Sequence, residues 1–293
     1  MSLADWSLLT LLSSSIEQCE SIEFLPLTSN DDYQVFCYCE ENRYLCINSQ
    51  EIRSIVTLCY STMSTSDQQQ LNIVTRVLLS CVTECLTSWN IRRRLVLSGV
   101  IHVDEELKYL EKILSLRPKS EQMFRYRRWL IKQVDKKEIS IDHEFSVCDK
   151  TAEKHFINYA SWQYRRWLID YFQLNINDEL NRHSIWFEKN LSDSSSFSYR
   201  IFLLSKSSNE TQSIERELMK NEEKLRFFND RESLWIYRRT LIFLAWKLFH
   251  FDRTKLFERE LDFVENFKKN IFTEKYICLL KTLIFSQGQF YRQ

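Results

Sequence analysis

Glycine and proline are nearly missing from this chain: two of each in 293 residues. Ordinary usage is roughly 7% and 5%, so the deficit fits a helix-rich chain with few tight turns. An excess of charge of one sign is missing as well. Forty Lys and Arg balance forty Asp and Glu, which argues against a nucleic-acid binder, because such proteins carry a basic surplus. There is no run of ~18 apolar residues of the kind that spans a membrane. The most apolar stretch, Leu241–Phe249, contains Lys247 and reads as a buried helix. The nine cysteines include no CxxC pair. Without metal-ligand spacing they read as reduced thiols of a cytoplasmic protein, with no metal site and no disulfide. The first twenty residues lack a basic n-region and so do not read as a secretory signal. No Gly-rich phosphate loop and no nucleophile motif is present, so the chain alone is expected to be non-catalytic.

What is present is a repeat. SWNIRR (Ser88–Arg93), MFRYRR (Met123–Arg128), SWQYRR (Ser161–Arg166), SFSYRI (Ser196–Ile201) and LWIYRR (Leu234–Arg239) share one pattern. Their aromatics, Trp89, Phe124, Trp162, Phe197 and Trp235, are separated by 35, 38, 35 and 38 residues. With the aromatic as position 0, position 2 is Ile91, Tyr126, Tyr164, Tyr199 and Tyr237. Position 3 is always Arg: Arg92, Arg127, Arg165, Arg200 and Arg238. Position 6 is always Leu. At ~100° per residue, positions 0 and 7 share one face of a helix, and 2 and 6 another. A helix apolar on two sides is an inner helix packed between neighbours. The arginines flank the aromatic stripe, where they can pair with carboxylates or stack on rings.

A second helix precedes each later motif, with cores over Glu105–Leu116, Cys148–His155, His183–Leu191 and Ile214–Arg226. Each unit is therefore a helix pair of ~36 residues, the period of helical repeats, and such pairs must stack to bury their apolar faces. The expected fold is all-α: a right-handed α-α solenoid, a crescent of helix pairs, with a small N-terminal β-hairpin over Gln34–Ser49. Residues 1–70 form a non-repeat segment, with helices over Ser2–Cys19 and Glu51–Met63. Residues 71–293 hold the repeats and a closing pair without the motif, Phe257–Lys269 and Thr273–Ser286. Gln68–Leu86 reads as one helix leading into the first motif. The Ser-rich stretches Ser64–Asp67, Ser192–Ser196 and Ser205–Ser213 read as exposed loops.

The repeats resemble those of the protein prenyltransferase alpha subunits, whose second helix opens with Asn-Tyr-x-x-Trp-x-x-Arg-Arg. NYASWQYRRWL (Asn158–Leu168) matches that pattern throughout. RPKSEQMFRYRRWL (Arg117–Leu130) keeps the Pro-Lys lead-in and both Arg, with Phe124 for Trp. LSDSSSFSYRIFLL (Leu191–Leu204) resembles the fourth repeat of one branch, the prenyltransferase alpha-subunit repeat-containing proteins. The resemblance covers roughly residues 80–250.

The resemblance implies an alpha-type subunit of a heterodimeric protein prenyltransferase, wrapped around a beta subunit that holds a catalytic zinc and the isoprenoid. Geranylgeranyl transfer to a protein cysteine is implied over farnesyl transfer, with the beta subunit shared with the Rab-modifying enzyme. The alpha subunit contributes one lysine beside the leaving diphosphate, which corresponds to Lys119; Tyr159 occupies the family's Asn-Tyr position. Two departures stand against this. Glu121 replaces a tyrosine and would repel a diphosphate if turned inward, and Ala160 replaces a histidine. They favour the alternative, a helical-repeat interaction scaffold without prenyltransferase activity. For Lys119 the plain alternative is a solvated loop lysine; for Tyr159, a packed tyrosine. The repeated arginines, Arg92, Arg200 and Arg238 among them, read first as structural ion pairs. Contact with a partner is the second reading, most apt for Arg125, Arg127, Arg165 and Arg166.

Overall fold

The computed structural model describes residues 3–26, 35–207, 210–247, 252–267 and 269–290. It falls into two compact units, Met1–Arg165 and Arg166–Gln293.

The first unit opens with helix α1 (Leu3–Gln18), then strands β1 (Ser21–Leu25), β2 (Phe36–Cys39) and β3 (Tyr44–Asn48). The expected hairpin is there: β2 pairs antiparallel with β3, Cys37 opposite Cys46. Gln34, where that expectation began, lies outside the described residues. The sheet is larger than expected, however. β1 pairs parallel with β3, Ile22 opposite Leu45, giving the order β1-β3-β2. Ile22 and Leu45 are buried, while Ser21 and Glu23 are exposed. The alternation that makes a half-buried strand was thus present in Ser21–Phe24.

Helices α2 (Ile52–Thr62), α3 (Gln68–Cys81), α4 (Leu86–Leu97), α5 (Val103–Leu116), α6 (Glu121–Ile131) and α7 (Ile141–Lys154) follow. The next, α8 (Tyr159–Phe172), runs across the boundary between the units. The second unit continues with α9 (Ile176–Lys189), α10 (Ser194–Leu204), α11 (Glu210–Phe227), α12 (Glu232–Lys247), α13 (Arg253–Glu265) and α14 (Ile271–Phe290). The fold is an all-α helical repeat with a small N-terminal sheet. The motif helices are α4, α6, α8, α10 and α12.

Local chemistry sets the boundaries. Asp67, Ser120, Ser140, Asn175, Asp193 and Asp252 each accept backbone N–H bonds at the start of a helix, filling donors the first turn would leave bare. Gly99, with φ 77°, follows the end of α4 in a left-handed conformation that suits glycine. Two expectations are corrected. Gln68–Leu86 is not one helix: α3 stops at Cys81, and Val82 is extended. The break presents the Thr83 carbonyl to the Trp89 indole, 2.8 Å away. Ser192–Ser196 is not an exposed loop either, because Asp193, Ser195 and Ser196 are buried in the start of α10. The expected Ser205–Ser213 loop includes residues 208 and 209, which lie outside the described residues, and α11 begins within it at Glu210. The apolar stretch from Leu241 is helical through Lys247; residues 248–251 lie outside the described residues.

All five motif aromatics are buried, none more than 4% exposed. They join a ring-to-ring core. Trp89 meets Tyr126 with centroids 4.8 Å apart, Phe124 meets Tyr164 at 5.1 Å, and Phe197 meets Tyr237 at 5.0 Å. Position 0 of one motif thus packs on position 2 of the next, which is why both positions favour aromatics.

Candidate functional site: the buried arginines and the Lys119 rim

A guanidinium buried without a counter-charge is costly, so a fixed interior arginine demands a carboxylate. Each outer helix supplies it. Arg92 Nε donates to Glu106 at 2.6 Å, and Arg127 Nε to Glu144 at 2.7 Å. Arg200 and Arg238 make the same bond to Glu217 and Glu260, both at 2.7 Å. A second N–H of each fork reaches the other carboxylate oxygen, the bidentate geometry that Lys could not reproduce. The Nη1 of each arginine donates to a carbonyl of the preceding outer helix: Asn72, Leu107, Leu180 and Leu218, each 20 residues upstream. One arginine therefore ties its inner helix to the outer helices on both sides.

The motif tyrosine completes the link. Tyr164, Tyr199 and Tyr237 donate to Glu144, Glu179 and Glu217. Glu144 and Glu217 each take the arginine of one repeat and the tyrosine of the next. Tyr276 on α14 does the same for Glu260, at 2.6 Å. The closing pair thus keeps the tyrosine of the motif and loses the rest. The first link is looser: the buried Tyr126 hydroxyl makes no hydrogen bond among the described residues.

The ionisation follows from the geometry. Burial works against the Arg127 charge, but Glu144 more than offsets it and holds its pKa above the ordinary value. Burial likewise opposes the Glu217 carboxylate, but the Arg200 hydrogen bond and charge, with the Tyr237 hydroxyl, pull its pKa below the usual range. Burial and the adjacent Glu217 push Tyr237 well above the ordinary value for a phenol.

Two of the arginines weighed as partner contacts lie inside this framework. Arg127 is fully buried, and Arg165, 2% exposed, is paired with Asp149 and stacked over Phe145 at 4.4 Å. Their guanidiniums are committed to the interior. Arg125 is exposed and pairs with Glu121 at 3.0 Å. Arg166 is half-buried, donating to Ser198 and lying over the Phe202 ring.

Lys119 and Tyr159 are exposed, at the mouths of α6 and α8. What brings their neighbourhoods together is Asn158, which is fully buried. Its Nδ2 donates to the Pro118 carbonyl at 2.7 Å and to Thr151 at 3.0 Å, and its Oδ1 accepts from the Ser161 backbone N–H. Lys119 and Tyr159 are the chain neighbours of the two bonded residues, so the bond joins the lead-ins that carry them. The Glu121 carboxylate is 60% exposed and paired with Arg125. Ala160 is buried, and its methyl side chain offers no polar group at that position. A cleft of about 660 Å³ lies elsewhere in this unit, beside Arg43, Arg76 and Lys112. Arg76 is paired there with Glu17 and Arg43 with Glu20, and Lys112 donates to the Ile16 and Glu17 carbonyls. Among the described residues no group of three or more His, Cys, Asp or Glu is placed to hold a metal ion. Among them, too, no helix is long and apolar enough to cross a membrane.

Fold and network together define a helical-repeat protein whose helix pairs are joined by buried Arg–Glu–Tyr links. The protein prenyltransferase alpha subunit repeat matches residues 103–134, covering α5 and α6, and the ECM9 middle domain matches residues 124–225. The chain is 28% identical over 162 residues to the human protein prenyltransferase alpha subunit repeat-containing protein 1, covering 47% of this chain and 40% of that protein. To the related 1-A protein of Xenopus laevis it is 29% identical over 199 residues, 58% of this chain and 46% of that protein. It is also similar to the rat geranylgeranyl transferase type-2 subunit alpha, 27% identical over 195 residues, 60% of this chain and 34% of that one. The chain is thus similar to these proteins and matches the alpha-subunit repeat over one helix pair. It spans less than half the length of each of the three.

Proposed function

We propose that this protein is the alpha-type subunit of a heterodimeric protein prenyltransferase, non-catalytic alone, that assists transfer of an isoprenoid, geranylgeranyl rather than farnesyl, to a protein cysteine. The observation that supports the reading is the Asn158–Pro118 bond, which joins the lead-ins of successive inner helices next to Lys119 and Tyr159 in the chain. Backbone N–H groups at such starts favour an anion. A beta subunit would hold the zinc and the lipid, and the substrate thiolate would displace diphosphate. Lys119 would then stand where negative charge grows on the leaving group, and an ammonium placed there lowers the barrier. The similarity to a geranylgeranyl transferase type-2 alpha subunit supports both the lipid and the kind of partner. A cytoplasmic location accords with this role. The domain division into residues 1–70 and 71–293 belongs to the same proposal, with the repeats forming the partner-bearing part.

A second reading is a repeat scaffold that binds another protein without prenylation. Ala160, buried where the resembled pattern has a histidine, favours it. Co-expression with candidate prenyltransferase beta subunits, followed by gel filtration, separates the two. The first reading expects one co-eluting one-to-one complex; elution of this chain alone in every case favours the scaffold.

A further inference from the structure

The inner helices of the first unit carry cations that the ion-pair network does not use. Counted from each aromatic, positions 1, 4, 5 and 8 fall on one side of a helix, apart from the buried positions 0, 2, 3, 6 and 7. On α4 and α6 the cations of this stripe are Arg93, Arg94, Arg125 and Arg128, with Trp129 among them. All are exposed or half-buried. Glu121 is the one acid on these two helices, and Arg125 takes it. Among the described residues no carboxylate pairs with Arg93, Arg94 or Arg128.

These are not loose surface side chains. The Arg93 guanidinium lies over the Tyr126 and Trp129 rings, 5.5 and 5.7 Å from their centroids, and Arg128 lies over Tyr164 at 5.9 Å. Stacking of this kind holds the planar forks in place; one Arg93 N–H donates to Asn90 Oδ1 at 2.9 Å, and no carboxylate takes the rest of its fork among the described residues. The Arg128 Nε is buried with no hydrogen-bond partner, and burial lowers the pKa of its guanidinium. Every buried position-3 arginine described above has its carboxylate, so an unpaired Arg128 on the neighbouring face stands out. In a chain of zero net charge, four cations against one acid on this face is a local concentration.

We propose that this stripe docks a protein partner through an acidic segment, whose carboxylates complete the Arg93 and Arg128 forks while Trp129 supplies apolar area. Arg and Trp are the residues that dominate protein interfaces, and the balanced net charge speaks against a nucleic acid. The inference stands without the prenyl-transfer reading, since any acidic partner would serve.

The test is fluorescence anisotropy of the full chain with a labelled Glu/Asp-rich peptide. Binding should weaken with salt and fall roughly tenfold, about 1.4 kcal/mol, in an Arg93→Gln/Arg128→Gln variant shown by circular dichroism to be folded. Lys255→Gln, at an exposed cation on α13 of the second unit, should leave it unchanged. If the first variant fails to fold, Arg94→Gln/Arg125→Gln, at exposed positions, replaces it with the same expected direction. Equal binding of a neutral peptide of matched length would overturn the proposal, and so would undiminished binding by the variants. Tighter binding of a single-stranded RNA of equal charge would instead make the stripe a nucleic-acid surface.

Discussion

Asn158 Nδ2 donates to the Pro118 carbonyl across 40 residues of chain, and this one bond closes the third repeat onto the second. The carbonyl it meets lies six residues before Phe124. In the first and last motifs the equivalent carbonyls, Thr83 and Asn229, accept from the indoles of Trp89 and Trp235, both at 2.8 Å. Phenylalanine has no such donor. Where Phe124 and Phe197 stand, the next repeat provides one: Asn158, just before α8, for Pro118, and Ser233 Oγ for Leu191 at 2.6 Å. The exchange of Trp for Phe is thus matched by a donor from the following repeat, because a buried carbonyl left bare is costly.

Asn158→Ala should destabilise the protein by roughly 1–3 kcal/mol, since it strips donors from two carbonyls. Phe124→Trp should cost about 1–3 kcal/mol in the wild type by overpacking, and less in the Asn158→Ala background, where the indole can take the vacated Pro118 oxygen. Urea melts of the two single variants and the double variant measure this. Strict additivity would show that the two donors do not share the carbonyl.

Trp162 is 1% exposed. Trp162→Ala should cost about 3–5 kcal/mol through the cavity it leaves. A melting temperature close to that of the wild type would place the indole outside the core.

Breaking one side of a buried Arg–Glu pair should be severe. Arg127→Met and Glu144→Gln should each cost about 3–5 kcal/mol, because the partner charge stays behind. The double variant should cost well under the sum of the two. Denaturant titrations of all four proteins give the coupling; none would mean that the pair adds nothing to packing.

The pH limits follow from the same links. The folded-state pKa of Glu217 is depressed, so its contribution is present above the unfolded value of about 4.3 and is lost as pH falls through the folded value. The pKa values of Tyr237 and Tyr276 are raised. Their contribution is full below about pH 10 and is lost as pH rises further. Stability should therefore drop at both ends. Glu217→Gln should flatten the acid limb, and Tyr237→Phe the alkaline limb. Limbs unchanged in both variants, measured by chemical denaturation across pH, would contradict the assignment.

The motif helices were legible because aromatic, tyrosine, arginine and leucine recur in phase. The carboxylates were missed although a signal existed. Glu106, Glu144, Glu179 and Glu217 each stand 18 residues before a motif aromatic. Counted from the arginine that each pairs with, however, Glu106, Glu144 and Glu217 follow by 14, 17 and 17 residues, and Glu260 by 22. The loop between an arginine and its acid varies in length, while the distance from that acid to the next motif is fixed by the helix pair. The parallel strand β1 escaped because its partner β3 lies beyond the intervening β2. The Lys119 rim was only half legible: sequence spacing places Lys119 before one inner helix and Tyr159 at the start of the next, but the side-chain bond that joins the two lead-ins has no period.

Single-turnover isoprenoid transfer by the complex of this chain with a prenyltransferase beta subunit tests the central claim most directly. Lys119→Ala should leave the complex intact on gel filtration and raise the barrier by about 2–4 kcal/mol, slowing transfer by roughly thirty- to a thousandfold. Transfer at the wild-type rate by the Lys119→Ala complex would contradict the account.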